Sequence, residues 1–274
     1  MGMDIAGYTT AMHPILQALV AAGANWLMTA LGAAGIFLAP GMSRKAVDAM
    51  LGFAAGVMMA ASYGSLLAPA IRTGTGGSGA AWLPAVTGFL LGGIAFWGID
   101  NLLPHLHLGL PSDRVEGVKT SWQRSTLLVL AVSLHNIPEG LAVGVAFGAA
   151  PVGLPWATLP SALALTIGIG IQDIPEGFAV ALPLQREGLP RWKSFWYGQL
   201  SGLVEPVTAV IGALAVVASH AILPYAMGFA AGAMVYVVVE DLIPESQRAG
   251  HTDLATVGLL VGFTLMMVLE VALS

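Results

Sequence analysis

The chain has no cysteine among its 274 residues, which excludes a disulfide framework and any thiolate metal site. Charge is nearly as scarce. Asp, Glu, Lys and Arg make up 9% of the chain, against roughly 25% in soluble domains. In their place stands a hydrophobic content of 57%, which points to an all-α polytopic membrane protein. The net charge of −5 says little, because most ionisable groups fall in loops or at the site; the partner implied is the lipid bilayer, and no nucleic acid is expected. No stretch is long and polar enough for a soluble unit, so 1–274 reads as one transmembrane domain. Met1 to Thr10 lack a basic n-region, so the first apolar segment is expected to be a retained helix and not a cleaved leader.

Eight segments are long enough to span, at about 12–39, 46–71, 81–103, 122–148, 156–184, 192–218, 221–243 and 253–273. Breakers separate them, among them Pro40-Gly41, Pro151 to Pro155 and Gly188-Leu189-Pro190. Arg44, Lys45, Arg114, Lys119, Arg124, Arg186, Arg191, Lys193 and Arg248 fall on one side of this layout, and Arg72 alone on the other. The first side is therefore expected to be cytoplasmic, with both termini outside.

The chain also repeats itself. Gly52-Phe53-Ala54-Ala55-Gly56-Val57-Met58 recurs, with one change, as Gly228-Phe229-Ala230-Ala231-Gly232-Ala233-Met234. The two copies lie in the second and seventh segments, which run in opposite senses. A 3+2+3 inverted-repeat arrangement follows, as in secondary transporters. Small residues at four-residue spacing, Gly140, Gly144 and Gly148 and then Gly198 and Gly202, are assigned to close helix packing.

Against this background two polar motifs stand out. His135-Asn136-Ile137-Pro138-Glu139-Gly140 and Gln172-Asp173-Ile174-Pro175-Glu176-Gly177 lie in the fourth and fifth segments. Each puts a metal-capable side chain four residues before a Glu, on one helix face. Each proline leaves a backbone carbonyl without its helical donor, at Leu134 and Ile171. Glu205-Pro206 does the same for Gly202 near the centre of the sixth segment. A carboxylate at the midplane costs roughly 2.5–3.5 kcal/mol on an insertion scale, and here there are four: Glu139, Asp173, Glu176 and Glu205. Every Lys and Arg sits at a loop or a helix end, so internal salt bridges do not compensate them. Protonation, monovalent cations or divalent metals remain, and His with carboxylates favours the last. Four charges balance two dications, with Glu139 and Glu176 as bridging ligands.

Other polar groups are more peripheral. Asp100, His105 and His107, together with Glu240, Asp241, Glu245 and His251, gather at one side, as either a cation exit route or a solvated rim. Glu270, towards the outer end of the last segment, is placed to line an entrance. Met58 offers a soft thioether, although Met in an apolar helix usually packs.

On these residues the chain resembles the ZIP (ZRT/IRT-like protein) family of divalent metal transporters, in its prokaryotic, GufA-like branch. The shared marks are the eight segments, H-N-x-P-E-G at 135–140, the paired P-E-G motif at 172–177 and the Glu-Pro at 205–206. The resemblance implies zinc-type transport into the cytoplasm across a bacterial inner membrane, through a binuclear centre, with no enzymatic activity. One site would use Met58, His135, Glu139, Gln172 and Glu176; the other Asn136, Glu139, Asp173, Glu176 and Glu205. Gln172-Asp173 stands where many members carry His, which leaves the cargo open among Zn²⁺, Cd²⁺, Fe²⁺ and Mn²⁺. The resemblance further suggests an elevator-type motion in which the second, fourth, fifth and seventh helices carry the substrate. A metal/proton exchanger, an exporter and an intramembrane metal-dependent hydrolase are the alternatives, and a homodimer is left open.

Overall fold

The computed structural model describes residues 12–39, 41–73, 80, 82–104, 117–118 and 123–273. Among them, eight helices are long and apolar enough to cross a membrane: α1 (Pro14–Leu38), α2 (Arg44–Thr73), α3 (Leu83–Leu102), α4 (Ser125–Val152), α5 (Leu159–Arg186), α6 (Arg191–Ala218), α7 (His220–Gln247) and α8 (Thr252–Leu273). Local chemistry sets several starts. Ser43 Oγ accepts from the Ala46 N–H at 3.3 Å, and Thr158 Oγ1 from the Ser161 N–H at 3.2 Å. Pro14, Pro84, Pro160 and Pro224 occupy first turns, where no helical N–H is lost.

α4 and α5 are 72% and 78% buried, against 22% for α3 and 17% for α8. The two motif-bearing helices therefore form the centre, and α3 and α8 present mostly apolar surface outward.

Glycine dictates the closest crossings. A Cβ on Gly52 or Gly56 would lie 2.1 or 2.0 Å from the carbonyl oxygens of Ala255 or Leu259 on α8. Gly228 and Gly232 meet Ala85 and Phe89 of α3 in the same way, at 2.3 and 1.9 Å. The GFAAG faces thus clamp α2 to α8 and α7 to α3, while α4 packs chiefly on α6 and α5 on α1. Two groups result, α1/α4/α5/α6 and α2/α3/α7/α8, meeting where α2 and α8 touch α5 and α7 touches α4. The second, fourth, fifth and seventh helices, suggested by the resemblance as the substrate-carrying set, are divided between these two groups.

Three irregularities position polar groups. α2 and α7 each contain a π-turn, at Ser62–Leu67 and Val238–Leu242, which rotates the following side chains relative to a regular helix. The first holds Ser65, the second Glu240 and Asp241. α6 is broken at Gly202-Leu203 into Arg191–Ser201 and Val204–Ala218.

Candidate metal centre

Glu139, Asp173 and Glu176 each offer a carboxylate oxygen within 4.8 Å of the other two. All are buried, at 0%, 1% and 3% exposure, and Glu205 joins them at 0%. Their placement follows from the helices. Pro138 and Pro175 lie inside unbroken α4 and α5, and the Pro-Glu-Gly steps bring Glu139 and Glu176 onto facing surfaces. The glycines then seat the neighbours. Gly140 lies against the Glu205 backbone of α6, where a Cβ would sit 2.5 Å from its carbonyl oxygen, and Gly177 lies against Thr29 of α1 at 2.1 Å.

The expected free carbonyl at Gly202 is not found: the Glu205 N–H donates to it at 3.1 Å. The helix breaks instead of kinking, so Glu205 falls in the first turn of the second half of α6. A carboxylate is favoured there by the helix dipole.

Few of the centre's polar atoms are satisfied. Gln172 Nε2 donates to Glu139 Oε1, and Asn136 Nδ2 lies 3.5 Å from Glu205 Oε1. Thr29 is also a side-chain partner of Glu205. Asn136 Oδ1, Glu139 Oε2, Gln172 Oε1, Glu205 Oε2 and both carboxylate oxygens of Asp173 and Glu176 are buried without a partner. Buried oxygens normally find donors, and among the described residues no Lys or Arg pairs with these four acids. An oxygen-rich site lacking donors suits a cation, and the carboxylates suit a divalent one.

His135 Nε2 lies 2.6 Å from Asp241 Oδ2 in the π-turn of α7. Ligating imidazoles often hand their second nitrogen to a carboxylate in this way. Phe96, Asp100, Tyr236 and Asp241 share a water-sized cavity with His135, and Tyr236 Oη donates to Asp100 Oδ2 at 3.4 Å. Asp100 and Asp241 therefore adjoin His135, which is not in the group formed by Glu139, Asp173 and Glu176. Met58 is fully buried in the apolar core together with Met234.

The remaining peripheral residues separate. Glu270 accepts from Ser65 Oγ at 2.5 Å and lines a cavity of about 290 Å³ with Arg72, Trp156 and Ser161. Glu245 and His251 belong to neither the centre nor its cavity. Arg44 lies 2.6 Å from Asp48 Oδ1 and 2.7 Å from Glu245 Oε1. Arg248 lies 3.1 Å from Glu245, and His251 lies 2.7 Å from Asp48. This network ties together α2, α7 and the start of α8. His105 and His107 lie outside the described residues. Asp48 and Thr29 escaped the sequence reading, although Asp48 one turn after Arg44 is a readable ion pair.

Comparisons with known proteins agree with one another. Residues 111–270 match a family described as ZIP Zinc transporter. The zinc transporter ZIP11 of Homo sapiens is 42% identical over 336 aligned positions, covering 95% of this chain and 98% of that protein. The zinc transporter GufA of Myxococcus xanthus is 40% identical over 249, covering 90% and 94%. The zinc transporter ZIPB of Bordetella bronchiseptica is 42% identical over 263, covering 94% and 81%. With eight membrane-crossing helices around a buried acidic cluster, the chain belongs to the ZIP zinc transporter family.

Proposed function

We propose that this protein moves divalent metal, zinc foremost and cadmium, iron or manganese as further candidates, across a bacterial inner membrane into the cytoplasm. The observation that carries the reading is the group of Glu139, Asp173 and Glu176, buried together with unpartnered oxygens. The relatives' names as zinc transporters point the same way. The four carboxylates balance two ions. One ion is held by His135, Glu139, Gln172 and Glu176 with Met58, the other by Asn136, Glu139, Asp173, Glu176 and Glu205. All donors come from one chain, so the centre does not require a homodimer. The carboxylates' near-complete burial leaves no face for a lipid or peptide, which argues against hydrolysis.

Metal enters past Glu270 and Ser65 and leaves by Asp241, Asp100 and Glu240 towards the side rich in Lys and Arg. The α1/α4/α5/α6 group carries most of the ligands and moves past α2/α3/α7/α8 as an elevator. The matched crossings, α2 on α8 against α7 on α3 and α4 on α6 against α5 on α1, support an inverted repeat with extracytoplasmic termini.

Reconstitution into proteoliposomes with a trapped zinc-sensitive dye tests this, with pH gradients of either sign imposed. Zinc influx down its own gradient under both signs is the expected result. Influx that reverses with the proton gradient would instead identify an exchanger, and absence of flux would refute transport.

A further inference from the structure

At the basic end of the bundle, four aromatic rings join α1 to α6. Phe37 lies 6.0 Å from Phe195, Trp192 lies 5.4 Å from Phe195, and Trp196 lies 5.8 Å from Trp192. This is not a buried cluster: Trp192 is 59% exposed, Trp196 47% and Phe37 41%. Arg186, Arg191 and Lys193 are exposed and close to it in sequence, with Glu187 the single acid on the turn. Arg186 donates to the Met42 carbonyl, which places its guanidinium against the turn between α1 and α2.

Phe195 packs against the core, but the charges beside it do not favour the helix. Arg191 and Lys193 occupy the first turn of α6, which holds no acidic residue in its N-terminal half; the helix dipole disfavours cations there. The pseudo-equivalent stretch of α1 lacks those charges. Thr29 packs on Gly177 as Glu205 packs on Gly140. Counting back equally from Thr29 and Glu205 aligns Pro14-Ile15-Leu16-Gln17-Ala18-Leu19-Val20 with Pro190-Arg191-Trp192-Lys193-Ser194-Phe195-Trp196. The α1 start supports the same crossing without one aromatic or basic residue. Indole rings favour the depth of lipid headgroups, and clustered Lys and Arg favour anionic ones.

We propose that Trp192, Phe195, Trp196 and Phe37, with Arg186, Arg191 and Lys193, form a binding surface for anionic phospholipid headgroups. Both helices belong to the group that holds Glu139, Asp173, Glu176 and Glu205, so the bound headgroups set the depth of the metal centre in the bilayer. Resting on the transport reading above, this makes metal flux depend on the anionic lipid fraction.

The test uses the whole protein in liposomes, with bromine-labelled acyl chains on either phosphatidylglycerol or phosphatidylcholine. Subtracting a Trp192→Phe/Trp196→Phe variant isolates the fluorescence of those two residues. Stronger quenching by brominated phosphatidylglycerol is expected, and its preference falls about fivefold per charge removed in Arg191→Gln/Lys193→Gln. Equal quenching by the two lipids in the unmodified protein, or an undiminished preference in the Gln variant, overturns the proposal. Zinc flux is then measured against phosphatidylglycerol fraction. A rise in the unmodified protein that flattens in the Gln variant supports the depth coupling, and parallel curves overturn it. Quenching needs no transport, so a chain that binds lipid yet moves no zinc would sink only the transport reading.

Discussion

Nε2 of His135 on α4 lies 2.6 Å from Oδ2 of Asp241 on α7, one helical turn from Glu139. The contact crosses the seam between the two helix groups. If His135 binds metal as proposed, Asp241 is placed to orient its imidazole. Asp241→Asn is expected to weaken zinc affinity by about 10–100-fold, the usual effect of removing such a carboxylate. Competition with a chelating dye reads this out; unchanged affinity would show that His135 acts without Asp241.

Four carboxylates buried together make the metal-free protein store repulsion and desolvation. Glu139→Gln removes one charge, so the metal-free variant is expected to melt at or above the temperature of the unmodified protein. Zinc at a hundredfold over its Kd adds about 2.7 kcal/mol to the unmodified protein and little to the variant. A variant that melts well below the parent without metal would mean that Glu139 is structural.

Glu205 supplies the fourth charge from a broken helix. Glu205→Gln is expected to reduce bound zinc from two ions per chain to one, counted by elemental analysis after gel filtration. Gly140→Ala should do likewise, because a Cβ there would meet Thr208 Oγ1 at 2.1 Å and the Glu205 carbonyl oxygen at 2.5 Å. Two ions retained in both variants would exclude Glu205 as a ligand.

Acid is expected to weaken binding. Carboxylates and the imidazole must be unprotonated to ligate, so metal uptake releases protons and affinity falls as pH drops. Calorimetry in buffers of different ionisation enthalpy counts the protons released. No release at neutral pH would contradict carboxylate and His ligation.

The Arg44 network predicts a stability effect separate from transport. Removing the guanidinium leaves Asp48, which is fully buried, and Glu245, which is nearly so, without their main cation. Arg44→Met is expected to cost about 3 kcal/mol, since it leaves two buried carboxylates with only His251 and Arg248 beside them. Asp48→Asn in the same chain should recover part of it. Thermal unfolding in detergent measures both, and additive losses would show that the two residues are not coupled.

What could be read in the sequence was what depends on neighbours in the chain. The eight apolar runs declare helices, and the exclusion of Lys and Arg from their interiors makes His135, Glu139, Asp173, Glu176 and Glu205 conspicuous. What could not be read depends on approach in space. The Arg44–Glu245 pair joins residues far apart in the chain, and Pro244, two residues after the π-turn, marks a disturbed helix without showing that Asp241 meets His135. Pro206 announces a disturbed helix but not its form. The break at Gly202-Leu203 places Glu205 at a new helix start and gives the Gly202 carbonyl a donor where none had been expected. The GFAAG repeat was legible as a pair, but not that the carbonyls of Ala255 and Phe89 lie against it.

The most direct measurement is zinc flux into proteoliposomes containing His135→Ala, Glu139→Ala or Glu176→Ala, each first shown to be folded by size exclusion. Loss of flux is expected in all three while the protein remains monodisperse. Zinc flux that persists in folded Glu139→Ala and Glu176→Ala would contradict a path through this centre.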